Sequence, residues 1–312
     1  MTTNKQSRQS VGAVNGLLLL NKPAGLTSNQ ALQKVKHLLK AKKAGHTGSL
    51  DPAATGMLPL CFGEATKVCA YLLDADKSYR VTARLGVATD TADADGKEVD
   101  TAPVPDLSID DWRAICEGFI GEIEQIPPMY SALKKDGKRL YELARKGEVV
   151  ERQARKIRIH EIQVLESSGS RLVLRVHCSK GTYIRTLVED LAKAAGTVAH
   201  TARLHRETVG DLPTTEMLDL AGAEKVAETG VEALRALLLP ADAALQSWPE
   251  RCIADASVEH FVGGQSVQSL GPEDQDQQAM VRVYAASGGF LGIGETGEGS
   301  SLAPRRIFRL ED

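Results

Sequence analysis

Alternating and continuous apolar segments divide the chain into predicted strands. Residues 16–20 are one glycine followed by four leucines, which predicts a short buried strand. Residues 77–85 alternate apolar and polar side chains, as a strand with one buried face does. Similar patterns predict strands at 156–165, 171–178 and 199–206.

Segments with helical periodicity lie between these strands. Thr27 or Ser28 can cap the first helix, and Gly196 is suited to end the last one. The predicted helices run from Thr27 or Ser28 to about Lys40, over 63–73, over 107–120, and through 187–191 up to Gly196. We therefore expect a mixed α/β (α+β) fold in which helices flank a central, largely antiparallel sheet.

The pattern changes after Pro240 and predicts a second, smaller unit. Short strands around glycine-rich turns are predicted at 281–284, 290–295 and 305–308. We expect a disordered tail at 1–12, a main domain at 13–245 and a small β-rich domain at 246–312.

The formal net charge of −3 hides an uneven distribution of charged residues. Residues 134–158 carry ten Lys and Arg against four Asp and Glu, whereas residues 213–312 carry seven against sixteen. A local basic surface can attract a phosphate backbone although the whole chain is acidic. A solvated helix face would show the same pattern.

Cysteine usage and the absence of long apolar runs predict a cytoplasmic protein that does not enter a membrane. The five cysteines form no Cys-x-x-Cys pair, which is typical of reduced thiols. The first ten residues are polar and unlike an export signal, and no apolar run approaches the ~20 residues that a membrane helix needs.

The most unusual segment is 45–60, where glycine, proline and hydroxyl residues surround one histidine and one acid. We predict a tight loop rather than a helix or strand, because Gly48 and Gly56 allow unusual backbone angles and Pro52 favours an extended Asp51. Such a loop would present His46 and Asp51. An aspartate in a glycine-rich loop is also a common turn or cap residue.

Two kinds of site are excluded for this loop. No Gly-Lys-Ser/Thr sequence closes it, so it is not a phosphate loop. His46 has no second His or Cys at ligand spacing, and the acidic stretch 89–96 lacks the glutamate of a calcium loop, so we predict no metal.

Three strings in this sequence together resemble one protein family. Residues 45–56 read Gly-His-Thr-Gly-Ser-Leu-Asp-Pro-Ala-Ala-Thr-Gly and are followed by Gly-Glu-Ala-Thr-Lys at 63–67. Residues 77–80 read Lys-Ser-Tyr-Arg and residues 180–185 read Lys-Gly-Thr-Tyr-Ile-Arg. The whole set resembles the TruB family of tRNA pseudouridine synthases.

The resemblance implies roles for particular side chains. It makes Asp51 the essential carboxylate, Tyr79 an active-site tyrosine and Arg185 the partner of Asp51. The implied substrate-binding residues are His46, Tyr183, Leu204, Lys67 and Lys22. His46 is expected to stack where the target base was, although a structural histidine that bonds its own loop remains an alternative.

The resemblance also implies an RNA-binding surface. Residues 125–156 resemble a basic thumb insertion, and 246–312 a PUA-like RNA-binding barrel. His205 departs from the arginine common in the family, so Arg203 and Arg206 would share the phosphate contacts. The implied backbone contacts are Lys134, Lys135, Arg139, Arg145, Arg203 and Arg206.

The implied activity is isomerisation of uridine 55 in the T-loop of tRNA to pseudouridine after the base is flipped out. The reaction involves no redox change, so no cofactor is expected. The tRNA T-arm is the expected partner of a monomer that needs no other protein. The alternative is a non-catalytic module that binds or folds tRNA on the same fold.

Overall fold

The computed structural model describes residues 13–309 except 132, 136, 145, 149 and 272–277, and leaves out the side chains of 134, 135 and 139. The first thirteen strands are β1 (Gly16–Lys22), β2 (Ala44–His46), β3 (Thr55–Phe62), β4 (Lys77–Leu85), β5 (Val87–Thr89), β6 (Glu98–Thr101), β7 (Gly121–Gln125), β8 (Lys134–Lys135), β9 (Lys138–Arg139), β10 (Arg155–Ser168), β11 (Arg171–Cys178), β12 (Ala199–Val209) and β13 (Leu218–Asp219). The remaining strands are β14 (Glu250–Ile253), β15 (Val267–Leu270), β16 (Met280–Ala285), β17 (Phe290–Thr296) and β18 (Ser301–Ile307). The helices are α1 (Ser28–Leu38), α2 (Cys69–Asp74), α3 (Ile109–Glu117), α4 (Leu140–Ala144), α5 (Ile184–Ala194), α6 (Leu220–Thr229), α7 (Val231–Arg235) and α8 (Val258–Val262).

A central sheet of nine strands organises the larger part of the chain. Its order is β13-β1-β3-β12-β4-β11-β10-β7, with β2 added to β3. The pairs β1–β13 and β3–β12 are parallel and the other pairs are antiparallel. This arrangement confirms the predicted mixed fold with a largely antiparallel sheet.

Apolar side chains cover both faces of the sheet at β1 and β3 and one face at β4, β10 and β11. Successive leucines of β1 point to opposite faces, so Leu18 packs with α1 and α6 while Leu17 packs with α2. On the other half of the sheet, α3 and α5 cover β4, β10 and β11 through residues such as Trp112 and Leu187. A four-leucine run thus corresponds to a strand that is buried on both sides.

The last five strands close into a small barrel in the order β14-β15-β18-β17-β16. This barrel confirms the prediction of a small β-rich domain. Phe308 and Ile293 pack in the same apolar cluster as Leu17 and Leu72 of the larger part. Among the described residues, no helix is both long enough and apolar enough to cross a membrane.

The prediction of an irregular loop over 45–60 was wrong at both ends. Residues 44–46 form β2 and residues 55–62 form β3, so only 47–54 lie outside the sheet. β3 is stable despite Gly56 and Pro59 because β1 pairs along its whole length. The other edge of β3 pairs first with β12 and then with β2.

Gly56 is required by close packing as well as by its backbone angle. Its φ is +104°, and a Cβ added there would lie 2.2 Å from the backbone oxygen of Arg206. We expect Gly56→Ala to destabilise the protein by about 2 kcal/mol or more, because it combines backbone strain with a clash that backbone atoms cannot avoid. Chemical denaturation measures this change.

Gly121 is the matched control for this substitution. It has a φ of +105° but no atom within 4 Å of an added Cβ. We expect Gly121→Ala to lower the free energy of unfolding by only about 1 kcal/mol, because it strains the backbone without creating a clash. Equal losses of stability in the two variants would contradict the packing argument.

Candidate active site

The Asp51 turn, residues 47–54, is fastened to the segment between β1 and α1. The Nζ of Lys22 donates to the carbonyls of Pro23, Leu26 and Pro52 at 2.8, 2.7 and 3.2 Å. Ser28 Oγ accepts a hydrogen bond from Leu50 N at 2.8 Å. The backbone on both sides of Asp51 is therefore held by Lys22 at the end of β1 and Ser28 at the start of α1, which leaves the carboxylate little freedom.

Arg206 of β12 fastens the same turn from the other side. Its Nε donates to the Met57 carbonyl at 2.7 Å and its Nη2 to the Gly48 carbonyl at 3.2 Å. Only 1% of Arg206 is exposed. The side chain therefore supports the turn from inside the molecule.

Arg185, the second residue of α5, holds the Asp51 carboxylate with two contacts. Its Nε lies 3.0 Å from Asp51 Oδ2, and its Nη2 lies 3.4 Å from Oδ1. The arginine side chain is 6% exposed, whereas that of Asp51 is 42% exposed. A planar guanidinium that meets both carboxylate oxygens fixes the orientation of the acid while one side stays open.

Three further oxygens complete the surroundings of Arg185. Its Nη1 donates to the Thr91 carbonyl at 2.8 Å, and its Nη2 donates to the Tyr130 carbonyl at 2.7 Å. The carboxylate of Asp93 lies 3.5 Å from Nη1. Together with the Asp51 turn, the segments at 91–93 and at Tyr130 make three separate parts of the chain that hold the guanidinium.

Asp51 lies at the junction of two cavities. One has a volume of about 310 Å³ and is lined by Tyr79, Tyr183, Leu204 and Arg206, among others. The other has a volume of about 360 Å³. Its lining is mostly small side chains together with charged residues: Ala24, Ala53, Ala54, Ala94, Asp93 and Arg203. Leu204, Asp51 and Arg185 line both cavities. The carboxylate therefore faces one cavity with aromatic walls and a second cavity lined mostly by alanines and charged residues.

The pKa of Asp51 is raised above its ordinary value. Burial in the cleft is the largest cause, and the positive charge of Arg185 opposes it. The guanidinium of Arg185 favours the ionised acid, but the effect of burial on the carboxylate outweighs it. A raised pKa makes an acid more readily protonated, which is common among acids of functional sites.

This shift predicts the acid side of the pH profile. If the ionised Asp51 is the active form, activity falls as the pH drops through its raised pKa, at a higher pH than an ordinary aspartate would give. Single-turnover rates measured between about pH 4.5 and 8 define this acid side of the pH–rate profile. RNA affinity over the same range is the control, and a rate that stays flat down to the ordinary pKa of aspartate would contradict the expectation.

Most of the predicted site residues fall into three groups. Tyr79, Tyr183, Leu204 and Arg185 line the cavity beside Asp51. Arg203 is exposed at the rim of the second cavity. Lys134, Lys135, Arg139 and Arg145 have side chains outside the described residues.

Three placements differ from the predictions. Lys22 is fully buried with carbonyls around its Nζ, and burial lowers its pKa to about 8, so it supports the Asp51 turn and cannot reach a substrate. Lys67 contacts Glu64 and donates to the Ile307 carbonyl at 2.7 Å, which faces it towards the barrel. Arg206 is buried rather than available to a phosphate. In each case the family resemblance implied a contact with substrate or RNA, and the fold surrounds the side chain with carbonyl or carboxylate oxygens instead.

His46 lies at the end of β2 and lines neither cavity. Its Nδ1 is buried and has no hydrogen-bond partner within the described part of the chain. Burial lowers the pKa of the imidazole, and the charge of Arg206 adds to this effect. The ring therefore favours the neutral form, which suits stacking better than charge pairing.

Sequence reasoning missed Asp93 and the two carbonyls that hold Arg185. Asp93 belongs to the acidic stretch that had been considered, and rejected, as a calcium loop. Its acidity was the only available signal, and nothing local connects it to an arginine ninety residues away. A backbone carbonyl such as that of Thr91 or Tyr130 leaves no signal in a sequence.

Comparison with known proteins agrees with this fold. Three family models match consecutive segments of the chain. Residues 36–184 match "TruB family pseudouridylate synthase (N terminal domain)". Residues 185–246 match "tRNA pseudouridylate synthase B C-terminal domain", and residues 249–308 match "Pseudouridine synthase II TruB, C-terminal". A solved structure described as "Structure of H/ACA RNP bound to a substrate RNA containing 2'-deoxyuridine" has a similar fold, with a TM-score of 0.71. It is 23% identical and covers 95% of this chain and 86% of its own. The sheet, the Asp51 cleft and these matches define a pseudouridine synthase.

The chain belongs to the TruB family. It is 50% identical over 299 residues to the tRNA pseudouridine synthase B of Stutzerimonas stutzeri (strain A1501), covering 96% of this chain and 97% of that protein. It is 52% identical over 295 residues to the protein of the same name from Ectopseudomonas mendocina (strain ymp), covering 94% and 95%. The family resemblance seen in the sequence is thereby confirmed.

Proposed function

We propose that the protein converts uridine 55 in the T-loop of tRNA to pseudouridine, with Asp51 as the catalytic carboxylate. The observation that carries this proposal is the two-contact Arg185–Asp51 pair, which opens onto a cavity lined by Tyr79. The relatives named tRNA pseudouridine synthase B support tRNA as the substrate. The proposed catalytic domain is 13–245 and the proposed RNA-binding barrel is 246–312.

The reaction exchanges one bond between base and sugar for another. The N1–C1′ bond breaks, the base turns, and C5 bonds to C1′; the proton on C5 leaves and N1 ends protonated. Asp51 acts on the sugar or on the base, either as a nucleophile at C1′ or C6 or by assisting elimination. Arg185 holds the carboxylate at one orientation throughout, so little reorganisation is needed when charge develops.

The aromatic cavity is the proposed pocket for the flipped uracil. Its volume of about 310 Å³ is suited to a small ligand, and Tyr79 and Tyr183 offer flat apolar surfaces to a base. Leu204 packs at the junction with the second cavity. Walls on several sides keep the detached base close to C1′ until the new bond forms.

Tyr79 is the proposed group for moving the C5 proton. Burial raises its pKa, so the phenol is neutral at physiological pH. A neutral phenol cannot simply take a proton; it acts as a relay, and its own proton passes to the Asp51 carboxylate or to water as the C5 proton arrives. Arg206 beside the ring favours the transient negative charge.

We expect Tyr79→Phe to lower the single-turnover rate by about 10²-fold or more, because the ring remains and the relay is lost. RNA binding should change less than threefold. Tyr71→Phe is the control, since Tyr71 packs edge-on against Trp248 and lines neither cavity. Parent-like turnover by Tyr79→Phe would remove the hydroxyl from the mechanism.

The proposed RNA backbone contacts are Arg203 and the basic insertion. Arg203 is exposed at its rim and is suited to a phosphate of the flipped nucleotide's own strand. The basic insertion 125–156, including Lys134, Lys135, Arg139 and Arg145, is proposed to hold the T-arm. His46 is proposed to stack where the base was, and no cofactor or further protein is required in this scheme.

The test uses purified protein and an unmodified tRNA transcript. Pseudouridine is mapped chemically after incubation, and the matched control is the same transcript with cytidine at position 55. Product at position 55 of the first transcript alone is expected. Tight binding without product would instead favour the non-catalytic tRNA-folding module, and product only at other uridines would overturn the assignment of position 55.

A further inference from the structure

Two histidines and one aspartate meet outside both cavities. Asp76, His160 and His177 each offer one ligand atom, and these atoms all lie within 4.8 Å of one another. His160 Nε2 lies 3.0 Å from Asp76 Oδ2. The two imidazole rings have centroids 4.7 Å apart and planes tilted by 38°.

The sheet builds this group from three separate strands. His177 is the residue before the end of β11, and Asp76 directly precedes β4, which pairs with β11. The β10–β11 register shifts between Ile159 and Glu161, so His160 is the extra residue of a β-bulge. Such bulges often redirect a side chain. The backbone of His177 is therefore fixed by sheet pairing, and His160 and Asp76 lie next to paired residues.

We propose that Asp76, His160 and His177 bind a divalent transition-metal cation of the zinc class. Two imidazoles and one carboxylate are a ligand set that such cations accept, and a water molecule would fill the fourth tetrahedral position. Around a tetrahedral zinc with bonds of about 2.1 Å, ligand atoms lie roughly 3.4 Å apart. The ligand atoms here lie within 4.8 Å of one another, so the widest distance between them would have to shorten by a little over ~1 Å on binding. The side chains of His160 and Asp76 are 31% and 44% exposed, which leaves room for that rotation.

A simple ion pair between His160 and Asp76 accounts for only part of this arrangement. It gives no reason for a second imidazole whose ring centroid lies 4.7 Å from that of the first. No hydrogen bond reaches a ring nitrogen of His177 from the part of the chain that the structure describes. A cation that coordinates both neutral rings uses all three side chains.

The bound cation would act as a structural link and not as a catalytic group. None of its three ligands lines either cavity beside Asp51. The next residue after Asp76 is Lys77, which lines the Tyr79 cavity. The cation would therefore link β10, β11 and the residue before β4, next to one wall of the active site. It would stabilise the folded state by an amount that rises with the zinc concentration relative to Kd.

Zinc binding to the full-length protein tests the proposal. Protein freed of metal with a chelator is titrated with Zn²⁺ in competition with a chromophoric chelator, above the ordinary pKa of histidine. We expect one equivalent to bind and the melting temperature to rise by roughly 5 °C at a hundredfold excess over Kd. His177→Gln and Asp76→Asn should each weaken binding at least tenfold and remove most of that rise.

Two controls separate this site from other zinc ligands. His260→Gln removes an exposed histidine of the barrel, and Cys69→Ser removes a partly exposed thiol; neither should change the affinity. Circular dichroism confirms that each variant is folded. Equal zinc affinity in the parent and His177→Gln would overturn the proposal. So would a Co²⁺ spectrum with thiolate charge-transfer bands, because that would place the metal on cysteine.

Discussion

Replacing Asp51 by asparagine should lower the rate of pseudouridine formation by at least about 10³-fold and leave tRNA affinity within a few-fold of the parent. The substitution keeps the size of the side chain and removes its charge. The amide can still contact Arg185 through its oxygen, but it cannot attack carbon or accept a proton. Single-turnover kinetics with a radiolabelled transcript, together with filter binding, measure the two quantities separately.

Asp95→Asn is the matched control for this change. Asp95 lies on the exposed acidic stretch near the cleft, and its charge helps to raise the pKa of Asp51 without pairing with Arg185. Its removal changes the net charge by the same amount near the same site. We expect an almost parental rate and, at most, a small shift of the acid limb to lower pH. Full activity of Asp51→Asn would disprove the catalytic assignment of this carboxylate.

Arg185→Lys should have the second-largest effect, with the rate reduced by about 10²-fold or more. Lysine keeps the positive charge but cannot reach both Asp51 oxygens and the carbonyls of Thr91 and Tyr130 from one planar group. The carboxylate then loses its fixed orientation. Two of the oxygens that Arg185 now satisfies would lose their partner, so we also expect a stability loss of about 2 kcal/mol, which thermal and chemical denaturation can measure.

Arg175→Lys provides the comparison for an exposed arginine. Arg175 pairs with Glu207 at 2.8 Å, and its side chain is 44% exposed. Surface pairs of this kind contribute about 0–1 kcal/mol, so stability and rate should both remain close to the parent. If Arg185→Lys behaved like Arg175→Lys, the two-contact clamp would have no role in catalysis.

The residues proposed to react could be located along the chain because each lies in a distinctive string. Asp51 stands in the glycine-rich turn, Tyr79 on an alternating strand, and Arg185 at the start of a helix after a strand. Their meeting at one cleft was implied by the family resemblance and not by the residues themselves. The distances that make the pair, 3.0 and 3.4 Å, came from the structure.

Basic residues were the least predictable part of the site. Lys22 and Arg206 look like surface cations in the sequence, yet each is buried under the Asp51 turn with carbonyl oxygens around it. A buried lysine or arginine is tolerated only where such oxygens replace water. Those oxygens belong to residues that are distant in the chain or carry no side-chain signal.

The sequence by itself determined the leucine-rich and alternating strands, the capped helices, the β-rich end of the chain and the family. These follow from the spacing of apolar residues and from strings that are local in the chain. Only the tertiary structure decided that Gly56 extends a strand against Arg206, that Asp93 shares Arg185, and that two histidines approach Asp76. Each of these depends on which strands are neighbours in the sheet, and that pairing is set by the burial of the whole chain rather than by any one segment.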